Sequence, residues 1–137
     1  MSRLEPRQPV HPSGGIEYFD NPRLGATYLV ESVTSEFTCV CPVTGQPDFA
    51  TLRVRYAPGP RCFELKSFKL YLWGFREKGH FHEDVTNQIL ADLVDAIDPI
   101  WMEVRGEFNL RGGIATTVTA RHGQLPDALQ GVDIAPI

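Results

Sequence analysis

Ala50-Thr51-Leu52-Arg53-Val54-Arg55-Tyr56 alternates apolar and polar side chains along its length. Period-two alternation sends one set of side chains to a core and the other to the opposite face, so the stretch is a half-buried strand. The turn Ala57-Pro58-Gly59-Pro60 ends it, and upstream Glu36 to Cys41 reads as a neighbouring strand. Downstream, Ser67 to Phe75 carries Phe68, Tyr71, Leu72 and Phe75 at helical spacing and is predicted helical. From His82 to Ile97 the period is plainer. Val85, Ile89, Leu90, Leu93, Val94 and Ile97 line one face, Glu83 and Asp84 fall in the first turn, and Asp98-Pro99 stops the helix. Met102, Val104 and Phe108 then alternate with Glu103, Arg105 and Glu107, and after the turn Asn109-Leu110-Arg111-Gly112-Gly113 a last strand runs from Ile114 to Ala120. The order ββααββ predicts an α+β fold, four antiparallel strands backed by two helices. Such a sheet leaves unpaired edges that a second subunit would cover, so a homo-oligomer is expected.

The chain has 137 residues, one domain's worth. Residues 1–22 and 124–137 are rich in Pro and Gly or lack a sustained period. They are expected as an extended N-terminal arm and a C-terminal tail around a domain of residues 23–123. With 42% hydrophobic and 22% charged residues the composition is that of a soluble globular protein. No apolar run approaches the length that spans a bilayer, and nothing resembles a secretory signal. A net charge of −4 disfavours nucleic acid as the main partner. Three cysteines, two of them separated by one residue, fit a reducing cytoplasm rather than a disulfide scaffold.

The chemistry is concentrated in Cys41-Pro42-Val43-Thr44-Gly45-Gln46-Pro47-Asp48. A loop with a proline and a glycine joins a thiol, the best nucleophile near neutral pH, to an acid able to protonate whatever the sulfur attacks. Asp48 also has a plainer reading, as a turn-stabilising acceptor. Cys39 faces the same side of an extended strand as Cys41, and both Cys39 and Cys62 read as buried structural thiols. Trp73 and Trp101 read as packing residues. The mixed run Phe63 to Tyr71 has a bland reading as a solvated face beside a core stripe. A zinc site of Cys41 with His80 or His82 is conceivable from ligand type, but the sequence lacks CxxC and HExxH spacings. Arg111-Gly112-Gly113 suits phosphate and equally a plain hairpin. No GxGxxG or P-loop is present, so any nucleotide is held without a Rossmann domain.

Together, Glu36-Phe37-Thr38, Cys41 to Phe49, Glu64-Leu65-Lys66-Ser67-Phe68-Lys69-Leu70-Tyr71, Phe81-His82-Glu83-Asp84 and Arg111-Gly112-Gly113 closely resemble the single-module NADPH-dependent 7-cyano-7-deazaguanine reductases, the nitrile reductases of queuosine biosynthesis. The resemblance covers about residues 36–119. It implies the tunnelling fold, whose ββααββ subunits form pentameric barrels stacked in pairs. It also implies that Cys41 adds to the nitrile carbon to give a thioimide and that Asp48 donates the proton. Two NADPH molecules then bring the carbon to the aminomethyl level. By the same resemblance Glu64 and Glu83 hold the deazaguanine base, with Phe63, Leu65 and His82 beside them, while Leu65, Lys66, Arg111 and Gly112 contact NADPH. No metal is implied.

These residue types suit the task. A guanine-like edge presents N–H donors, for which carboxylates are the natural acceptors, and Glu83 sits at the end of its helix where negative charge is favoured. Sulfur addition turns a poor electrophile into a C=N unit that accepts hydride, splitting one hard step into easier ones. Two rival readings follow from the same residues. One is a zinc-dependent cyclohydrolase-like enzyme of the same fold, the other a non-catalytic purine- or pterin-binding oligomer with an inert Cys41.

Overall fold

The computed structural model describes residues 15–132. Its strands are β1 (Tyr18–Asp20), β2 (Val30–Val40), β3 (Pro47–Ala57), β4 (Arg61–Phe63), β5 (Trp101–Arg111) and β6 (Ile114–Gly123); its helices are α1 (Leu65–Trp73) and α2 (His82–Ile97). The main sheet is antiparallel in the order β2-β3-β5-β6, and β1 pairs with β4 in a separate ribbon. The expected ββααββ order and α+β class are therefore present.

Alternation decides which face of the sheet meets the helices. Leu52, Val54 and Tyr56 of β3 and Met102, Val104 and Phe108 of β5 turn inward with Ala120 of β6. They meet Val85, Ile89, Leu90, Leu93 and Ile97 of α2 and Phe68 and Leu72 of α1 in one continuous core. Each fully buried aliphatic or aromatic side chain contributes about 1.5–3 kcal/mol, so the α2 stripe alone anchors that helix. At its end Asp98 adopts the left-handed conformation (φ 51°, ψ 59°) and its N–H returns to the Val94 carbonyl.

The outer face is charged rather than apolar. Arg55, Glu103 and Arg121 stand in register across β3, β5 and β6, and Glu103, 2% exposed, accepts from Arg55 Nε at 2.8 Å and Arg121 Nε at 2.6 Å. Burial pushes its carboxyl upward, but the two guanidinium groups outweigh this and hold it below the usual range.

A bulge in β2 aims the residues that matter. Thr34 pairs with Leu52 but Phe37 pairs with Ala50, so one extra residue lies on the β2 side. Before it the inward positions are Val30, Ser32 and Thr34, opposite Tyr56, Val54 and Leu52. After it they are Phe37 and Cys39, opposite Ala50 and Asp48. The strand read from sequence as Glu36 to Cys41 is thus the second half of an eleven-residue strand.

The arms expected from sequence lie partly within the described residues; residues 1–14 and 133–137 lie outside them. Tyr18–Asp20 pair with Phe63, Cys62 and Arg61. Asn21 is buried, donates to the Gly59 carbonyl and accepts from the Tyr28 hydroxyl at 2.6 Å. Polar anchoring of this kind has no periodicity to read. At the other end Leu129, in a single 3-10 turn, packs with Ala57 and Trp101.

Candidate active site

Cys41 follows the last residue of β2, and its loop is closed by backbone bonds: Cys41 N–H to the Gln46 carbonyl at 2.8 Å and Gly45 N–H to the Cys41 carbonyl at 2.9 Å. Gly45 sits at φ +72°, a conformation that makes glycine the natural occupant of this turn. On its other side β2 is tied to the segment between the helices, with Val40 N–H on the Lys78 carbonyl and His80 N–H on the Val40 carbonyl, each at 3.0 Å. The thiol is therefore held by a hairpin on one flank and a loop on the other.

Asp48, the second residue of β3, is in register with Cys39. It is buried, 7% exposed, and accepts from Arg111 Nη1. His82 Nε2 lies 3.3 Å from its other oxygen. Arg111 also donates through Nη2 to Thr44 Oγ1 at 2.9 Å and Gln46 Oε1 at 2.7 Å. One guanidinium thus joins the acid to the nucleophile loop. His82, the first residue of α2, stacks on Phe108 of β5 with ring centroids 3.8 Å apart and planes 6° from parallel.

The thiols differ in the way their surroundings require. Hydrogen bonds from the Thr44 hydroxyl, then from the Thr44 and Val43 amides, hold the Cys41 thiol below its usual range against a smaller opposing effect of desolvation, and the Arg111 charge adds to the lowering. Cys39 is fully buried, and burial with the charges of Asp48 and Cys41 pushes its thiol up to about 11. Cys62 is buried beside the Tyr28 hydroxyl. All three are free.

Of the residues singled out from sequence, Cys41, Asp48, His82 and Arg111 meet in this cluster, with Glu83 exposed on the same first turn as His82 and Gly112 at φ +58° beside Arg111. A second set stands apart, and among the described residues no hydrogen bond or ion pair joins the two. In it Glu64 caps α1, its carboxylate accepting from Lys66 N–H at 2.6 Å and Ser67 N–H at 2.8 Å. Those bonds hold its carboxyl below the usual range. Leu65 and Lys66 are exposed in the first turn, whereas Phe63, 3% exposed, is packed between Tyr56 and Phe68 and presents little surface to a ligand. A groove of about 230 Å³ between β2 and α1 is lined by Glu36, Thr38, Leu65, Lys69 and Trp73, and Cys41 lies outside it. Trp73 is half-exposed beneath Lys69 and Arg76 rather than packed in the core.

His80 and His82, weighed as zinc ligands, are otherwise engaged: His80 Nδ1 pairs with Asp84 at 2.8 Å, and His82 faces Asp48. Among the described residues no group of three or more His, Cys, Asp and Glu side chains is arranged to hold a metal, and no helix is long and apolar enough to cross a membrane. Thr44, Gln46 and Phe108 were not singled out from sequence. Thr44 and Gln46 flank the turn glycine, and polar side chains inside a nucleophile loop were the available signal. Phe108 reads only as a core alternation residue.

Residues 47–127 match the family described as QueF-like protein. A protein of Anaeromyxobacter dehalogenans (strain 2CP-C) named NADPH-dependent 7-cyano-7-deazaguanine reductase is 58% identical over 118 residues, 86% of this chain and 97% of the relative. The chain belongs to this reductase family. A member of the same name from Thioalkalivibrio sulfidiphilus (strain HL-EbGR7) is 58% identical over 111 residues, 81% of this chain and 86% of the relative. The crystal structure of the archaeosine synthase QueF-Like in the apo form shares the fold, with a TM-score of 0.66 at 24% identity over 72% of this chain and 96% of that one.

Proposed function

We propose that this chain reduces the nitrile of 7-cyano-7-deazaguanine to the aminomethyl group, using NADPH and a covalent thioimide on Cys41, as a step in making the modified tRNA base queuosine. The observation that carries the reading is that Arg111 ties a buried acid to the loop holding a partly exposed thiol, which its surroundings favour toward the thiolate. An inert Cys41, as a purely binding protein would have, needs none of this.

In the first step the Cys41 proton passes to Asp48 as sulfur bonds to the nitrile carbon and one π bond of the C≡N group opens onto nitrogen. Asp48 then returns the proton to that nitrogen, leaving a neutral thioimide. Burial of Asp48 and its bond to Arg111 keep the carboxyl oriented for both transfers. His82, 3.3 Å from Asp48, is the next group able to relay a proton. Glu83 and Glu64 are the acceptors proposed for the N–H edge of the base, with Phe63, Leu65 and His82 shaping the apolar side. NADPH, when bound, supplies hydride to the carbon, one from each of two molecules. Lys66 and Leu65 on the exposed first turn of α1, with Arg111 and the Gly112 backbone at the β5–β6 hairpin, fit it by chemistry: cations and left-handed glycine N–H groups suit phosphates. The bonds to Asp48, Thr44 and Gln46 use three of the five guanidinium N–H groups of Arg111. Release of the C–S bond returns Cys41 for the next turnover.

The long edges of β2 and β6 support assembly into a homo-oligomer, proposed as two stacked pentamers. Three free thiols support a cytoplasmic setting. The deciding experiment mixes the protein with NADPH and 7-cyano-7-deazaguanine and follows NADPH oxidation. Two NADPH consumed per nitrile is the expected stoichiometry, and no turnover by an intact oligomer sinks the reading.

A further inference from the structure

We infer that His80 and Asp84 form a positioning pair that aims Glu83 at the substrate base. The inference rests on the reading of Glu83 as an acceptor for that base. Helix α2 begins without the usual local restraint, since Phe81 stands at its N-cap and the Phe81 side chain makes no capping bond. The residue before it is anchored instead. His80 N–H donates to the carbonyl of Val40, the residue before Cys41, at 3.0 Å. Its ring packs edge-on against buried Phe75 with centroids 5.4 Å apart, and its Nδ1–H donates to Asp84 Oδ2 at 2.8 Å. Neighbouring Gly79 lies so near Pro42 that a Cβ there would stand 3.4 Å from the proline Cα. The loop is thus fixed to the end of β2 that leads into Cys41. Among the described residues, the His80–Asp84 bond is the side-chain hydrogen bond that joins this loop to the first turn of α2.

Glu83 lies between two pinned neighbours. His82 is held on one side by its stack on Phe108 and its approach to Asp48, and Asp84 on the other by His80. Glu83 itself is exposed, and among the described residues its carboxylate makes no hydrogen bond or ion pair. In a helix the Cα–Cβ direction follows from the backbone, so pinning both neighbours fixes where Glu83 points before a ligand arrives. Preorganisation of this kind lowers the ordering cost of binding. It serves the ground state and the transition state alike, so its loss belongs in KM rather than kcat. The effect is modest, because the Asp84 side chain is 63% exposed and pairs of that kind change an equilibrium by about fivefold or less.

The test follows NADPH oxidation at saturating NADPH while 7-cyano-7-deazaguanine is varied, in the full chain with oligomer size checked for each variant. His80→Phe keeps a ring against Phe75 and loses the bond to Asp84. Asp84→Ala removes the acceptor at an exposed position that folding does not depend on, and Asp84→Asn keeps an acceptor oxygen. His80→Phe and Asp84→Ala are each expected to raise the nitrile KM about threefold, with kcat within about 1.5-fold of the parent. The double variant should be no worse than either alone, and Asp84→Asn should stay near the parent. Glu83→Gln should raise KM by itself and leave His80→Phe little to add. A parent KM in both His80→Phe and Asp84→Ala, additive effects of the two, or a fall in kcat in place of the rise in KM overturns the inference while Glu83→Gln still upholds the reading of the base acceptor. A parent KM in Glu83→Gln overturns that reading and the inference with it, so the two failures are told apart.

Discussion

Arg111 and Asp48, 63 residues apart in sequence, form an ion pair that closes the space between the end of β5 and the start of β3. The same guanidinium reaches Thr44 and Gln46. Sequence reading gave Arg111 to the cofactor; its geometry ties it to the nucleophile and the acid as well.

Arg111→Ala is therefore expected to slow thioimide formation measured without NADPH, by about tenfold or more, because small misplacements of reacting groups cost up to about 10²-fold. The apparent KM for NADPH should rise in the same variant. Intact-mass kinetics of the adduct, alongside NADPH titration, separate the two effects. Normal adduct formation with only a raised KM would return Arg111 to a purely cofactor role.

Asp48→Asn keeps the shape and removes the acid. Turnover is expected to fall by the 10²- to 10⁴-fold typical of general acid–base groups, with oligomer size unchanged. Near-parent turnover together with a lowered melting temperature would mean that Asp48 only braces Arg111 and the turn, leaving His82 as the candidate proton donor.

The three thiols make a sharper comparison. Cys41→Ala should abolish both adduct and turnover, while Cys39→Ser and Cys62→Ser retain the adduct, since both of those side chains are buried. Cys39→Ser places a hydroxyl in a fully buried position and is expected to cost about 1–3 kcal/mol of stability. An adduct mapped to Cys39 would reverse the assignment.

Glu103 sets a pH dependence of stability independent of the site. Its folded carboxyl lies below the usual range, so its contribution is full above the unfolded value near 4.5 and is lost as pH falls through the lower folded value. The melting temperature of the parent should drop more steeply in this acid window than that of Glu103→Gln. At neutral pH that variant should lose about 3 kcal/mol, the low end for breaking a buried pair, because the Arg121 side chain is 63% exposed. Parallel melting curves for the two proteins below pH 5 would remove Glu103 from the acid response.

What could be read ahead of the structure follows from which signals are periodic. The α2 stripe and the alternation of β3 and β5 were legible because burial repeats along them. The first half of β2 was not, since the bulge between Thr34 and Phe37 switches the inward set from even to odd positions and cancels the period. The resemblance points to Glu64 as a substrate-binding acid, whereas its work as the α1 cap depends on backbone directions that residue type alone does not give. Cys41 and Asp48 share a loop and could be paired on sight. His82 and Arg111 reach that loop only because α2 packs on the sheet in which β5 pairs with β3, a relation that spans the whole fold.

Gly106 carries that packing into the chemistry. A methyl group at this position would lie 2.8 Å from the Phe108 ring and 3.0 Å from Thr86 Oγ1. Phe108 is the platform on which His82 stacks, and the Thr86 hydroxyl donates to the His82 carbonyl at 2.8 Å. Both supports of His82 would have to shift, while the Cys41 loop, held by its own bonds and by Arg111, would not. Gly106→Ala is accordingly expected to cost about 1–3 kcal/mol, the usual range for overpacking, and to slow adduct formation with the nitrile by about tenfold. Alkylation of Cys41 by iodoacetamide should stay within about twofold of the parent. Melting temperature, adduct kinetics and alkylation on one preparation decide the matter; lowered stability with unchanged adduct kinetics would show that the His82 stack is packing alone.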